Sequence, residues 1–281
     1  MKKKFSERIG IEEALPTLQT DSMNAALRNS IWNMLFTLFE NRNDYWIPLA
    51  KWTAQHFRKV PVDELPVYDN RCREWIQAYF YSLPWNKAYE FIEFIVNNYE
   101  SILQYPSIRH DKLEIMFNYV FEREMSGFRF IAGELAPISN PAETHEISSA
   151  IEITSHIGLD GAHHHLKSAL SLLAKKPDPD YRNSIKESIS AVESIAKVLG
   201  KENSHGLADA LAELAKKTTI HGGLQAGFNK LYGYTSNENG IRHAILDEPT
   251  VGFDEAKYMV VSCSAFVNYL IAKAETAGLL K

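Results

Sequence analysis

The sequence predicts a mainly α-helical protein: a helical bundle in two α-helical domains, with one minor β-hairpin near residues 127–138. Three observations predict it. Apolar residues recur at spacings of three and four along most of the chain, prolines such as Pro61, Pro66, Pro84 and Pro106 fall between those stretches, and a single aromatic stretch alternates with period two. The chain has 281 residues, 45% of them hydrophobic and 11% aromatic, which is ample for a packed core.

The elements follow in order. From Ser22 to Phe39, Met23, Leu27, Ile31, Leu35 and Leu38 make one apolar stripe, with Asp21 or Ser22 as cap. Further helices are predicted near residues 45–59, 69–81, 85–103 and 107–125. The run Gly127-Phe128-Arg129-Phe130-Ile131-Ala132-Gly133-Glu134-Leu135-Ala136 then reads as a short strand or hairpin. Ser139-Asn140-Pro141 opens the next helix, toward Ser155, since proline suits a first helical position. The domain boundary is expected near residues 140–158, giving a sensor-like domain over 1–140 and a second helical domain over 141–281. Five helices are predicted in the remainder of that second domain: 162–174, 179–199, 206–216, 221–231 and 254–277. In the second of these, Ile185, Ile189, Val192, Ala196 and Leu199 form the core stripe; Glu193 falls inside it and Glu187 on the opposite side. A carboxylate aimed inward needs a partner, so Glu193 is expected to bond a cation or backbone donor.

Charge bounds the function. The net charge is −5, shared as −2 over residues 1–140 and −3 over 141–281, so nucleic acid would have to bind in a local cleft. The only cysteines are Cys72 and Cys263, which fits a reducing cytoplasm. Met1-Lys2-Lys3-Lys4 leads into Phe5-Ser6-Glu7-Arg8 rather than an apolar core, unlike a secretory signal. No apolar run is long enough for a membrane span.

The segment Asn237-Glu238-Asn239-Gly240-Ile241-Arg242-His243-Ala244-Ile245-Leu246-Asp247 carries the chemistry. It sets a permanent, phosphate-shaped cation beside the one side chain whose ordinary pKa allows proton transfer near neutrality. Between Pro141 and the C-terminus the only arginines are Arg182 and Arg242. Against this stands a plain structural role, in which the pair caps a helix or meets Glu193. Asp247, four residues after His243, is placed either to orient the imidazole or to lie on the surface.

The words Leu231-Tyr232-Gly233-Tyr234-Thr235, Gly240-Ile241-Arg242-His243-Ala244, Glu255-Ala256-Lys257 and Ser264-Ala265-Phe266-Val267-Asn268-Tyr269-Leu270 resemble the C-terminal part of HEPN-type proteins of abortive phage infection. Phe5-Ser6-Glu7-Arg8, Ser22-Met23 and Leu27-Arg28-Asn29-Ser30-Ile31-Trp32-Asn33 resemble the start of the AbiJ N-terminal domain 4 family. The resemblance implies a cytoplasmic antiviral endoribonuclease that needs no metal or other cofactor, with Arg242 and His243 catalytic and Asn239, Asp247 and Glu193 supporting or orienting them. Its implied partners are RNA and a phage-derived trigger or regulatory partner, and a homodimer through the second half is expected because a two-fold axis would bring two Arg242-His243 pairs into one cleft. The chain departs from the family pattern in one respect. An arginine, a polar residue and a histidine after four to six intervening residues are usual there, whereas Arg242 and His243 are adjacent, and adjacent residues on a helix diverge by about 100°. A non-catalytic module that binds RNA, a nucleotide or a partner protein is therefore the alternative.

Two further patterns are weaker. His163-His164-His165 invites a metal, but neighbouring histidines on a helix splay and no carboxylate stands at ligand spacing, so no metal site is expected. Arg28 and Asn29 are expected to pair with glutamates across the bundle, and the five tryptophans to pack in cores.

Overall fold

The computed structural model describes residues 18–40, 46–103, 108–175, 178–200, 207–236 and 251–280. The chain divides into two compact units, Met1–Ser139 and Asn140–Lys281. Among the described residues the protein is mainly α, with a small two-stranded antiparallel sheet.

In the first unit, α1 (Ala25–Glu40) buries Leu27, Ile31, Leu35 and Leu38 of the predicted stripe and adds Phe39, while Met23 lies half-buried ahead of the helix. Trp46 opens α2 (Trp46–Trp52) and stacks on Trp32 at 5.5 Å between ring centroids, so burial of large rings joins the two helices. The helix expected over 45–59 changes character halfway. After Trp52 it widens into a π-helical turn, Thr53–Arg58, and stops at Lys59 in the left-handed region (φ 55°). Next come α3 (Asp69–Ser82), α4 (Trp85–Ile102) and α5 (His110–Arg123). Phe80, Phe91, Phe117 and Phe121 from these helices complete an aromatic core.

The hairpin pairs β1 (Arg129–Ile131) with β2 (Glu134–Ala136), Phe130 facing Leu135. Its two-residue turn needs positive φ at both positions, and Ala132 (51°) and Gly133 (90°) supply it. Side chains of two helices hold the hairpin by its backbone. Asn118 accepts from the Phe130 N–H at 2.7 Å and donates to its carbonyl at 2.9 Å, while Glu93 accepts from Leu135 N–H at 2.6 Å and Glu114 from Gly133 N–H at 2.7 Å. Gln19 fastens the incoming chain to the same region, donating to Met125 and accepting from Gly127, each at 2.9 Å. Arg28 departs from expectation. It donates to the Phe80 carbonyl at 2.8 Å, with its guanidinium 5.6 Å from that ring, and Asn29 accepts from the Tyr81 hydroxyl. A helix end leaves carbonyls short of partners, and the Phe80 carbonyl in the last turn of α3 has only a long bond from the Leu83 N–H, 3.4 Å, besides Arg28, which is why the backbone takes Arg28 in place of a glutamate.

The second unit is α6 (Pro141–His156), α7 (Asp160–Ala174), α8 (Tyr181–Gly200), α9 (Leu207–Lys217), α10 (Gly222–Ser236) and α11 (Phe253–Thr276). Asn140 caps α6 by accepting from Ala142 N–H at 2.9 Å, with Pro141 at the first position. α8 is the central helix, packed against α7, α9, α10 and α11. Small residues let it approach α7 closely: a Cβ on Gly161 would stand 2.8 Å from Ser194 Oγ, and Ser184 Oγ donates to the Ala169 carbonyl at 2.7 Å. α11 fills the remaining side with Met259, Val260, Cys263, Phe266, Val267, Leu270 and Ile271, all buried. No helix among the described residues is long and apolar enough to cross a membrane.

Candidate functional site at one edge of the second unit

The segment with Arg242, His243, Asn239 and Asp247 lies outside the described residues, so its position is bounded by the elements on either side. It leaves the end of α10 and returns at the start of α11. Those two ends are neighbours. Tyr234, an exposed residue in the last turn of α10, has its phenol pushed above the usual tyrosine range by partial desolvation and by the negative charge of Glu255, in the first turn of α11. Phe253, the first residue of α11, meets Tyr181, the first residue of α8, with ring centroids 6.3 Å apart. Three helix ends thus converge where the segment begins and ends. Arg182, the other arginine singled out in this half, stands beside Tyr181 in the first turn of α8.

The start of α11 is fixed by its own side chains. Glu255 reaches back to accept from the Gly252 N–H at 2.9 Å, and together with Asp254 it sets negative charge on the positive end of the helix dipole. The last helix therefore opens at Phe253, after the Arg242-His243 pair rather than at it.

Glu193 is the one member of the predicted set within the described residues. It is half-buried, and its cation is Lys197, at 2.7 Å one turn further along α8. The expected partner was a group near the Arg242 segment; an i,i+4 pair along one helix supplies it more locally. Glu193 also lies eleven residues beyond Arg182, roughly 16 Å along the helix axis at the usual rise.

Glu187 is where the sequence misleads. Expected on the far side of the apolar stripe, it is half-buried and bonded to His165 of α7, Oε2 to Nδ1 at 2.6 Å. The stripe of Ile, Val and Leu marks only part of the buried face of α8, because Ser184, Ser188 and Ala191 are also buried, against α7. Small and hydroxylated residues at three- and four-residue spacing were the available signal. The histidine triplet diverges as helix geometry requires, with His163 bonded through Nδ1 to the Ile151 carbonyl at 3.0 Å and His165 to Glu187. Among the described residues no group of three metal-ligating side chains converges. Cys72 and Cys263 are both buried and free; burial alone pushes the Cys263 thiol far above its ordinary range, leaving it an inert packing residue.

The molecule is thus a two-unit helical protein whose second unit offers one convergent edge and whose first unit is an aromatic-cored bundle clamped by a hairpin. The model of AbiJ N-terminal domain 4 matches residues 3–152, and the chain belongs to that family. Membership gives it a role in abortive infection, a form of phage defence. The match covers the first unit and runs on into α6 of the second. No curated protein and no solved structure matches the chain.

Proposed function

We propose that the protein is an abortive-infection endoribonuclease of HEPN type that cleaves RNA without a metal, using Arg242 and His243. One observation carries the proposal: the only Arg-His pair of the second half lies in the segment that joins α10 to α11, and the helix ends bounding that segment meet at one edge. His243 takes the proton of a ribose 2′-hydroxyl as that oxygen attacks the adjacent phosphorus, and Arg242 offsets the charge that builds on the phosphoryl oxygens. The bond from phosphorus to the 5′-oxygen then breaks. The leaving oxygen takes a proton from water, and a 2′,3′-cyclic phosphate remains. Asn239 and Asp247 position the reacting groups, and Glu193, paired with Lys197, steadies α8 behind them.

A second copy completes the site. Because adjacent residues diverge, one chain offers one good phosphate contact, whereas a two-fold axis through the second unit brings two Arg242-His243 pairs into one cleft and concentrates positive charge in an acidic protein. Expression of wild type, Arg242→Ala and His243→Ala under phage challenge tests the proposal. Growth arrest with RNA breakdown in wild type, and neither in the variants, is expected; arrest and breakdown in all three overturn it.

The second reading, a module that binds RNA, nucleotide or a partner protein without cleavage, is favoured by the adjacency of Arg242 and His243 and by the net charge of −5. RNA that is bound and left intact by purified wild type distinguishes it.

A further inference from the structure

The π-helical turn Thr53–Arg58 has features that packing alone does not account for. Such wide turns are rare and concentrate at functional sites. Here the turn ends with Lys59 in the left-handed region, a backbone that costs a non-glycine residue about 1–2 kcal/mol. Beside it, Trp52 Nε1 and Thr53 Oγ1 are buried without a hydrogen-bond partner among the described residues, and Thr53 is fully buried. Buried polar atoms are normally satisfied, so two neighbouring exceptions need a reason.

The turn has one geometric effect, to lay two consecutive side chains on the same aromatic wall. Phe57 packs on Phe91 and Phe94, with ring centroids 5.2 and 4.9 Å away. Arg58 sets its guanidinium carbon 4.5 Å from the Trp75 ring and 4.5 Å from the Tyr79 ring, both on α3. Those two rings are 6.5 Å apart and inclined by 25°. A guanidinium sandwiched between them would hold them at twice its own distance from each, so Arg58 instead lies across a two-ring platform. The guanidinium carbon is equidistant from the two rings, on a side chain that is only half-buried.

The N–H groups of Arg58 are equally telling. Arg71, Arg109 and Arg123 pair with Glu74, Asp111 and Glu124, and Arg28 and Arg129 donate to backbone carbonyls. Among the described residues Arg58 has no acceptor, and its interactions are with the two rings. Glu90, the acid that bears on the Tyr79 phenol, is ion-paired to Lys87 at 2.5 Å, and Glu74, beside Trp75 in the chain, is paired to Arg71 at 2.7 Å. The surrounding sequence is cationic: Lys51, Arg58 and Lys59 occur in residues 51–62, which contain no acid. His56 is itself exposed and packs on Trp52, ring centroids 4.2 Å apart.

We infer that Arg58, held on the Trp75–Tyr79 platform, is the anchor of a binding site in the first unit for a phosphoryl group of a nucleotide or oligonucleotide. A planar five-donor fork whose orientation is already set by stacking matches a phosphate bidentately with little further loss of side-chain freedom. Its outer face offers a base a surface to stack on, as guanidinium planes do in RNA recognition. Lys59, which follows the turn, adds a second positive charge, and the exposed His56 adds a hydrogen-bonding group on the turn itself. The site belongs to the first unit alone and does not rest on the ribonuclease reading of the second.

Calorimetric titration of the full chain with AMP, adenosine and a short single-stranded oligoribonucleotide tests the inference. Saturable binding of AMP or of the oligonucleotide is expected, with adenosine inert, since the phosphate is the recognised group. AMP binding identifies a free nucleotide as the ligand, and binding of the oligonucleotide alone identifies an RNA backbone. Arg58→Ala should weaken binding by at least about tenfold, and Arg58→Lys, which keeps the charge without the fork, should also weaken it. Circular dichroism establishes that each variant is folded; if Arg58→Ala unfolds, Arg58→Lys decides. Adenosine binding as well as AMP, the absence of binding by wild type, or equal binding by folded Arg58 variants would overturn the assignment.

Discussion

Replacing Phe228 by alanine should loosen α10 from the second unit while α11 stays folded. Phe228 is the only buried apolar side chain described in α10; Leu224 and Tyr234 on the same helix are exposed. Its ring stacks face to face on Phe266 of α11, centroids 3.4 Å apart. Losing the burial of a phenylalanine together with an aromatic pair costs about 2–4 kcal/mol. Because α10 is otherwise lightly packed, that loss falls on its own docking equilibrium rather than on the whole unit. At about 1.4 kcal/mol per factor of ten, amide protection in residues 222–236 should drop by about 30- to 1000-fold. Hydrogen exchange read by mass spectrometry separates this helix from Phe253–Thr276, whose protection should change by far less. Equal loss of protection in both helices would refute local docking, and no loss in either would refute the Phe228–Phe266 stack as the anchor. The variant also bears on activity, since α10 leads into the segment with Arg242 and His243.

Gly127→Ala should destabilise the first unit by about 1–3 kcal/mol in a denaturant melt, because a Cβ there would stand 2.9 Å from Thr20 Cγ2 and 3.0 Å from the Gln19 carbonyl oxygen. A variant as stable as wild type would show that the incoming chain yields freely at this point. Glu93→Gln should change the pH dependence of melting. Burial raises the Glu93 carboxyl above its ordinary range, followed in opposition by the Leu135 N–H, so the folded state binds its proton more tightly than the unfolded state. Its contribution to stability is then fully present below the unfolded pKa of about 4.3 and is lost as pH rises through the folded value. A neutral glutamine still accepts from Leu135 without that loss, so the difference in melting temperature, variant minus wild type, should become more positive between pH 4 and pH 7; a difference that is flat or falls with pH would contradict the burial of this carboxyl.

Most of the fold is legible in the sequence because it is written in period. The stripe Leu27, Ile31, Leu35 defines α1, Asn140-Pro141 marks the start of α6, and alternation around Phe130 gives the hairpin. Two things escape that pattern. A π-helical turn adds breadth without changing composition, so nothing in Thr53–Arg58 distinguishes it from an ordinary helix until Phe57 and Arg58 are seen to share a wall. The partner of Glu187 is hidden because α8 buries serines and alanines as well as branched residues, and a stripe drawn through Ile, Val and Leu alone undercounts its buried face. The candidate site is legible as chemistry, in the Arg242-His243 pair, and as an address, between the ends of α10 and α11. Spacing along the chain does not determine where the two side chains point, since adjacent residues share a phosphate only in particular backbone geometries or across a two-fold axis.

The most direct test is cleavage of RNA by the purified full chain in the presence of EDTA, with products identified by mass spectrometry. Fragments ending in 2′,3′-cyclic phosphate are expected, with no cleavage of DNA and a loss of at least about tenfold in rate for folded Arg242→Ala and His243→Ala, at or below the usual scale for removing one charge-stabilising or proton-transfer group. Unchanged rates in both variants, or activity that disappears on chelation and returns with added metal, would contradict it.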